Sequence, residues 1–498
     1  MKKFLRISGF VLAALATLVA LGYAIENWRG ARAWSAEQAR IRTSGEPLVW
    51  PDLVPPPPPP ERNFAAVPLF EGLFAYEAVR DVRGPNRRLW KGGPVQTRLS
   101  QTFLLPNPPK SAPPTEPSPN PALDFASTLG QLQNGTNYPS ITPSGKPAQD
   151  ILRLLESRKD AFDQLRLAAA RPECRFGIRY DDNFEALLPH LAVLKGAAQL
   201  LRIRSAALLA TGDRAAAADD VLLILRLGDV AGSDPILISM LVRIAIHSIA
   251  ASAVWEGWQQ DLWKPEDYQR FQAAFVAFNP RDALVDALRS ERLFSTGLID
   301  LLKDEPARYI AAFGNGEEAS VPVALRVAPG GWLRFNQAAL SRCLDGLAQQ
   351  ARATSATGAL SSIPGPADLK DLGPMPYTFM ARMLVPAVSR AFAKADRSRA
   401  NIHLVTTVCA LERFRADHGG RLPESLAALA PEYLASVPID PMSGTGLVYQ
   451  PAADGSFRLY SVGTNARDDG GAGASKSHTE PLDWAWPPRK ASGDSHRF

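Results

Sequence analysis

The stretch Glu185–Val230 reads EALLPHLAVLKGAAQLLRIRSAALLATGDRAAAADDVLLILRLGDV. Leu, Ile, Val and Ala recur along it every three to four residues, the spacing of one face of an α-helix. The pattern breaks at Gly212-Asp213. Glycine closes the first helix, and Asp213 suits the N-cap of the second, where its carboxylate accepts from free N–H groups of the first turn. Asp234-Pro235 opens the next helix by the same logic, with Asp at the cap and Pro at the first helical position. The unit is a helical hairpin with a short link, and the flanking sequence repeats the theme. Upstream, Ile151, Leu152, Leu154, Leu155, Phe162 and Leu165 keep helical spacing. Downstream, helices are expected over 265–304, 332–356 and from Tyr377 to His418, with breaks at APGG and SSIPGPADLKDLGPMP.

The segment PILISMLVRIAIHSIAASAVWEGW (235–258) is apolar enough to suggest a membrane span, but Arg243 and His247 sit in its middle. A charge at mid-bilayer is costly, so this helix is expected inside a large helical body. The hairpin ALLATGDRAAAADDVLLILR resembles a tetratricopeptide-type helix pair, although no 34-residue period runs through the chain. The fold class expected is mainly α: an N-terminal transmembrane helix, an irregular helical bundle or α-solenoid-like body over 149–400, and a small α+β module at the C-terminal end.

Hydrophobic residues make up 46% of the 498 and charged residues 21%, so most of the chain can build a core. The net charge of +5 is spread out, with no basic stripe interleaved with aromatics, and nucleic acid is not expected as a partner. Cys174, Cys343 and Cys409 lie far apart and form no CxxC pair. They read as small buried hydrophobes. One disulfide with a spare thiol stays open, because spacing alone does not decide pairing.

At the N-terminus, Lys2, Lys3 and Arg6 precede an uncharged run from Ile7 to Ile25. At about 1.5 Å per residue this run spans roughly 28 Å, close to the hydrocarbon thickness of a bilayer. Tyr23 and Trp28 stand where interfacial aromatics belong. The basic leader favours an anchor with its N-terminus in the cytoplasm and the bulk of the chain in the periplasm or outside. A cleaved signal peptide with Gly22-Tyr23-Ala24 at the site is the rival reading. Six prolines follow at Pro55–Pro60. They lack N–H donors and favour an extended polyproline helix, a stiff spacer of roughly 19 Å. The expectation is a stalk lifting the body off the membrane. Residues 61–148 show no sustained period, and RLSQTFLL within them reads equally as a strand or a helix end.

At the other end, the long helix terminates at Gly419-Gly420, LVYQPAADGSFRLYSVG reads as a hairpin around Ala453-Asp454-Gly455, and a turn rich in Asn, Asp and Gly follows. The order ALERFRADHGGRLPESLAAL, VPIDPMSGTGLVYQ, FRLYSVGTNARDDGG resembles the C-terminal half of the major pseudopilin of type II secretion systems, over 401–471. KKFLRISGFVLAALATLV also resembles a pilin leader at Gly9-Phe10, but Ala14 stands where those families carry Glu. The resemblance implies a calcium ion in the acidic loop, at the matching positions Asn465, Asp468 and Asp469. Oxygen donors in a tight loop suit such a hard cation, though three side chains leave the rest to carbonyls or water. The same residues also cap their own backbone in ordinary polar turns.

No HExxH, GxSxG, P-loop or dinucleotide motif is present. Glu173, Asp181, Asp182 and Glu185 form an acidic cluster near His190, which reads as acids at a helix N-terminus or as an acid–base group. No catalytic residue is assigned. Along the chain the reading gives a leader at 1–6, a transmembrane anchor at 7–25, a polar helix and Pro-rich stalk at 26–60, an irregular Pro-rich region at 61–148, a helical domain at 149–400, the pseudopilin-like module at 401–471 and a disordered tail at 472–498. The function expected is a non-enzymatic, membrane-anchored binding or scaffold protein of the bacterial envelope whose partner is another envelope protein. An accessory component of a type II secretion or pilus-like system, and a hydrolase of unrecognised motif, are the alternatives.

Overall fold

The computed structural model describes residues 2–80, 88–92, 94–105, 123–135, 137–304, 328–354, 358–360, 373–471 and 483–487. Its helices are α1 (Lys2–Ser44), α2 (Trp50–Leu53), α3 (Pro94–Thr102), α4 (Phe125–Gln133), α5 (Pro147–Leu155), α6 (Lys159–Ala169), α7 (Pro189–Ala210), α8 (Arg214–Ala231), α9 (Leu237–Gln259), α10 (Pro265–Val276), α11 (Pro280–Asp304), α12 (Gly330–Ala353) and α13 (Phe379–Asp417). The strands are a hairpin of β1 (Tyr76–Arg80) with β2 (Arg88–Gly92), and a three-stranded antiparallel sheet of β3 (Val448–Pro451), β4 (Phe457–Ser461) and β5 (Trp484–Ala485). The fold is mainly α, as the periodicity requires.

The hairpin that carried the sequence reading is α7–α8. The Asp213 carboxylate accepts from Ala216 N at 3.1 Å, so the N-cap is made. α9 packs on both helices. It is long and apolar enough to cross a membrane, but half of its apolar window is buried inside the body. Its polar pair faces inward: Arg243 lies 2.6 Å from Asp229 and 3.9 Å above the Phe278 ring, and His247 sits against Phe275 and Phe278 with Asp229 3.8 Å away.

The described residues form two hydrophobic cores. The larger joins α3–α10 to the second half of α13 and the C-terminal sheet. The smaller joins Leu284 and Leu288 of α11, Leu340 and Leu344 of α12, and Val385 and Phe392 of α13. α13 is therefore a strut shared by both, with Val405, Val408 and Leu411 in the larger core.

α1 runs without a break from the apolar segment into the body. None of its apolar window is buried, whereas the following turns dock on α12. Gly331 N donates to Asn27 Oδ1 at 2.8 Å, and Trp332 Nε1 donates to Glu26 at 3.1 Å. Further along, Glu37 is buried and accepts from Ser341 Oγ at 2.8 Å and Arg40 at 2.7 Å, while Arg40 reaches Asp345 at 2.5 Å. Glu46 binds Arg289 at 2.8 Å and Arg352 at 3.0 Å. The fully buried Arg292 donates to Pro47 O at 2.7 Å.

The Pro-rich stalk expected between anchor and body is thus corrected. α1 has already docked before Pro55–Pro60 begins. The prolines form an exposed strap held at both ends, by Trp50 against Tyr180 and Phe294 at ring distances of 4.8 and 4.5 Å, and by the buried Phe64. Lacking N–H groups, the run gains little from burial and stays on the surface. The described residues of region 61–148 are more ordered than its composition suggests. Phe64, Phe70, Leu73, Leu99 and Leu132 enter the larger core, and RLSQTFLL closes α3 as a helix end. The Pro-rich stretch 106–121 lies outside the described residues.

Within the tail expected to be disordered, residues 483–487 are described and packed. Trp484 pairs with Ser461, Trp486 N donates to Leu459 O at 2.9 Å, and Trp255 Nε1 donates to Pro487 O at 3.1 Å. Buried Trp484 and Trp486 repay the ordering of a segment that Gly, Ser and Lys otherwise dominate.

A half-buried carboxyl links α11 to the start of α9. Burial pushes Glu291 on α11 up to about 7, opposed only by a backbone hydrogen bond from Leu237 at the start of α9. A raised folded-state value stabilises the protein below the unfolded value and loses that stability as pH rises through it. We expect Glu291→Gln to match the parent near pH 4 and to exceed it by about 3 kcal/mol above pH 7.5. Chemical denaturation across that range measures it, and a gain that is the same at both ends would refute the assignment.

Candidate functional site

A groove of about 610 Å³ runs between the helical body and the C-terminal module. Gln272 and Val276 of α10 and Arg281 of α11 make one wall, Arg399, His403 and Thr406 of α13 the floor, and Leu434–Pro438 the other wall. Each side chain is placed by the register of its helix. Positions 399, 403, 406 and 413 share one face of α13, while Val405, Val408 and Leu411 face the core.

The groove is basic. Arg413 is held by neutral groups, donating to Gln272 Oε1 at 3.1 Å and standing 5.5 Å from the Tyr433 ring centroid. Arg281 donates to Thr354 O at 3.0 Å, with Asp282 at 3.6 Å. Arg399 donates to Asp396 at 3.1 Å and Gly358 O at 2.9 Å. Burial pulls its guanidinium below the usual range, and neighbouring Arg281 adds to that pull against Asp396. His403 Nδ1 lies 2.8 Å from Ile439 O. A carbonyl only accepts, so Nδ1 carries the proton. Burial lowers the ring's pKa and keeps it neutral at pH 7. No carboxylate is among the groove's described lining residues, and the apolar rim includes Val276, 63% exposed. Such a surface suits a ligand with anionic groups and some apolar character.

Sequence reasoning missed this site because its parts come from 269–281, 399–413 and 434–438, with no motif joining them. One signal was present: Arg399, His403, Thr406 and Arg413 make a polar stripe along a helix otherwise read for its apolar face.

The acidic cluster is not assembled into an acid–base group. Glu173 binds Arg62 at 2.6 Å, and Asp182 binds Arg179 at 3.1 Å. Asp181 and Asp182 line a second cleft, of about 480 Å³, with Trp34, Trp50 and Tyr180. His190 lies behind that wall, fully buried, stacked on Phe176 at 4.3 Å and 3.4 Å from Asp234, which also accepts from Tyr180 OH at 2.7 Å. The Glu185 side chain is outside the described residues. All three cysteines are free thiols, and burial raises each: Cys174 to about 12, Cys343 to about 11, and Cys409 higher still.

Asn465, Asp468 and Asp469 share one loop but direct their side chains to different partners. Asp468 accepts from Tyr460 OH at 2.8 Å and Gly470 N at 2.9 Å, and Asn465 Nδ2 donates to Asp469 at 2.7 Å. Among the described residues no group of three or more His, Cys, Asp or Glu is placed to hold a metal ion. A third acid, unseen by sequence, enters from just before β5: Asp483 Oδ2 accepts from Asp469 N at 3.1 Å and Gly471 N at 2.8 Å. Its Oδ1 is buried without a protein partner, and burial raises its carboxyl, with Asp469 and Asp468 adding to the rise.

No family model matches this chain, and neither a curated protein nor a solved structure matches it.

Proposed function

We propose that the protein is a non-enzymatic binding protein of the bacterial envelope, anchored by α1 with its bulk outside the cytoplasm, whose groove takes an acidic segment of another envelope protein. The observation that carries this reading is the groove itself: three guanidiniums and no carboxylate among its described lining residues, with Asp282 and Asp396 pairing two of the three from behind, and an exposed apolar rim. Lys2, Lys3 and Arg6 ahead of the apolar run support the orientation. The raised thiols and the enclosed His190 argue against nucleophilic chemistry at these positions.

The test uses the full chain in detergent with a fluorescent acidic peptide carrying interspersed leucines. Arg281→Glu with Arg413→Glu is expected to weaken binding at least about tenfold, equivalent to about 1.4 kcal/mol, and added salt to weaken it in the parent. Equal binding by parent and double variant at low salt would sink the reading. Deleting 401–471 is a poor alternative, since that segment fills the larger core.

Calcium in the acidic loop belongs to the same proposal. It rests on the unpaired Asp483 Oδ1 beside Asp468 and Asp469, a concentration of negative charge that a hard cation relieves. Calcium is expected to raise the unfolding midpoint by several degrees through preferential binding to the folded state, and Asp483→Asn to abolish that rise. A midpoint that ignores calcium removes the ion from the account and leaves the groove untouched.

A further inference from the structure

The apolar run of α1 ends at Ile25, and the next residue, Glu26, is gripped by the body. Trp332 Nε1 donates to it at 3.1 Å and Tyr377 OH at 2.9 Å. Tyr377 therefore lies within a side chain's reach of the level where the run stops. Around it stand three large apolar side chains turned to solvent: Met375 is 57% exposed, Phe379 38% and Met383 50%. Phe379 and Met383 are one turn apart on α13 and share a face, while Met380 and Ala381 between them are buried in the smaller core. The first turns of α13 are thus apolar on two sides, and among the described residues only one side has a protein partner. Trp28, 63% exposed, stands on α1 at the same level.

Beside Glu26, which pairs with Arg29 at 2.5 Å, the charges nearby are arginines. Arg382 donates to Gly373 O at 3.0 Å, Arg29 is half exposed, and Arg32 lies over the Trp28 ring at 5.7 Å. Apolar and aromatic groups flanked by arginines at the end of an apolar helix match the interfacial zone of a bilayer, where phosphate headgroups meet acyl chains. An isolated exposed apolar side chain needs no explanation, but two methionines and a phenylalanine together beside such a helix do.

We propose that Met375, Phe379 and Met383 insert into the membrane interface next to α1, so that the body is seated on the bilayer at two points. The inference rests on the anchoring reading above. It deepens that reading by assigning a lipid surface as the occupant of this patch. Two contacts fix the tilt of α13, and the groove at His403 lies roughly 36 Å further along the same helix. The groove is then presented at a set height above the lipid.

The experiment places the full chain in phosphatidylglycerol–phosphatidylethanolamine vesicles. An environment-sensitive fluorophore is attached through single substitutions Phe379→Cys, Met383→Cys, Leu15→Cys or Leu167→Cys, with Cys174→Ser and Cys343→Ser removing the more accessible native thiols. Spin-labelled lipid is expected to quench the probes at 379 and 383 about as strongly as that at 15, and severalfold more than that at 167. Aqueous iodide is expected to give the reverse order. If 15 is quenched by lipid while 379 and 383 behave like 167, the seating is overturned and the anchoring stands. If 15 is not quenched by lipid either, the anchoring reading fails with it. Shielding of 379 and 383 from both quenchers would mean that protein covers the patch, which also overturns the proposal.

Discussion

Gly331→Leu is expected to unseat α1 from the body and to lower stability by roughly 3 kcal/mol, the upper end of what forced overpacking costs. The reason is geometric. A Cβ built on Gly331 would lie 1.9 Å from Glu26 O and 2.8 Å from Asn27 Cα, so it meets backbone that cannot turn aside. A Cβ on Gly30, from the opposite side, would meet Gly331 O at 2.2 Å. Helix propensity opposes this outcome: leucine is the better helix former by several tenths of a kcal/mol or more. A loss can then come only from the contact. Gly346 on the same helix has nothing within 4 Å of its would-be Cβ, and Gly346→Ala is expected to be neutral or slightly stabilising. Thermal unfolding of both variants gives the comparison. Because Glu37, Arg40 and Glu46 bond across the same interface, separation also leaves buried charges unpaired. Limited proteolysis should therefore open new cleavage between Glu26 and Ser44. An unchanged midpoint and digestion pattern for Gly331→Leu would mean that the two helices do not meet as described.

This junction shows where the sequence stops being legible. α7–α8, the cap at Asp213 and the hairpin at Asp454-Gly455 rest on local pattern, and each forms where that pattern puts it. Arg243 and His247, costly in lipid, point α9 to the interior, and Asp229, which pairs with Arg243 and lies 3.8 Å from His247, sits on the neighbouring helix. The docking of α1 has no such local sign. Glycine at 30 and 331 reads as a weakness in two separate helices, and only their contact turns it into an interface. The Pro55–Pro60 run was read from its stiffness, which is intact, but stiffness does not say what a segment connects. β5 is a two-residue strand in a segment whose composition resembles a linker, and it exists because β4 offers an edge and the larger core a place for Trp486. The groove is least legible of all, since its arginines are far apart in sequence and meet only through the packing of α10 and α13.

α13 connects these features. Its first turns lie beside Glu26, its middle fills both cores, and its last turns carry the module. In the pseudopilin pattern the module would sit on the helix that also forms the anchor. Here it sits on a second helix that starts level with the end of the apolar run.

Asp440→Ala is expected to be the most damaging single change in the module, at roughly 4 kcal/mol. Asp440 is fully buried and joins two pieces of chain. Its carboxylate accepts from Ser461 Oγ at 2.8 Å, Val462 N at 2.9 Å and Met442 N at 3.0 Å. Its own N donates to Thr445 O at 2.7 Å, closing the turn that carries Pro441. Alanine keeps the turn's backbone bonds but leaves donors on Ser461 and Val462 buried without acceptors, each worth about 1–3 kcal/mol. Asparagine separates this cause from simple loss of packing. Its oxygen can face Val462 N while its amide donates to the Ser461 hydroxyl, although Met442 N then loses its acceptor, so Asp440→Asn should cost less than Asp440→Ala but not be neutral. Ser461→Ala should cost about 1 kcal/mol alone and less in the Asp440→Ala background, because the hydroxyl has then already lost its acceptor. The effect should reach the groove: Ile439 O, which holds His403 at 2.8 Å, precedes Asp440 directly. Acidic-peptide binding should therefore fall in Asp440→Ala at a temperature where the helical body is still folded by circular dichroism. Additive losses in the double variant, or full peptide binding by a destabilised Asp440→Ala, would show that this carboxylate does not set the groove's outer wall.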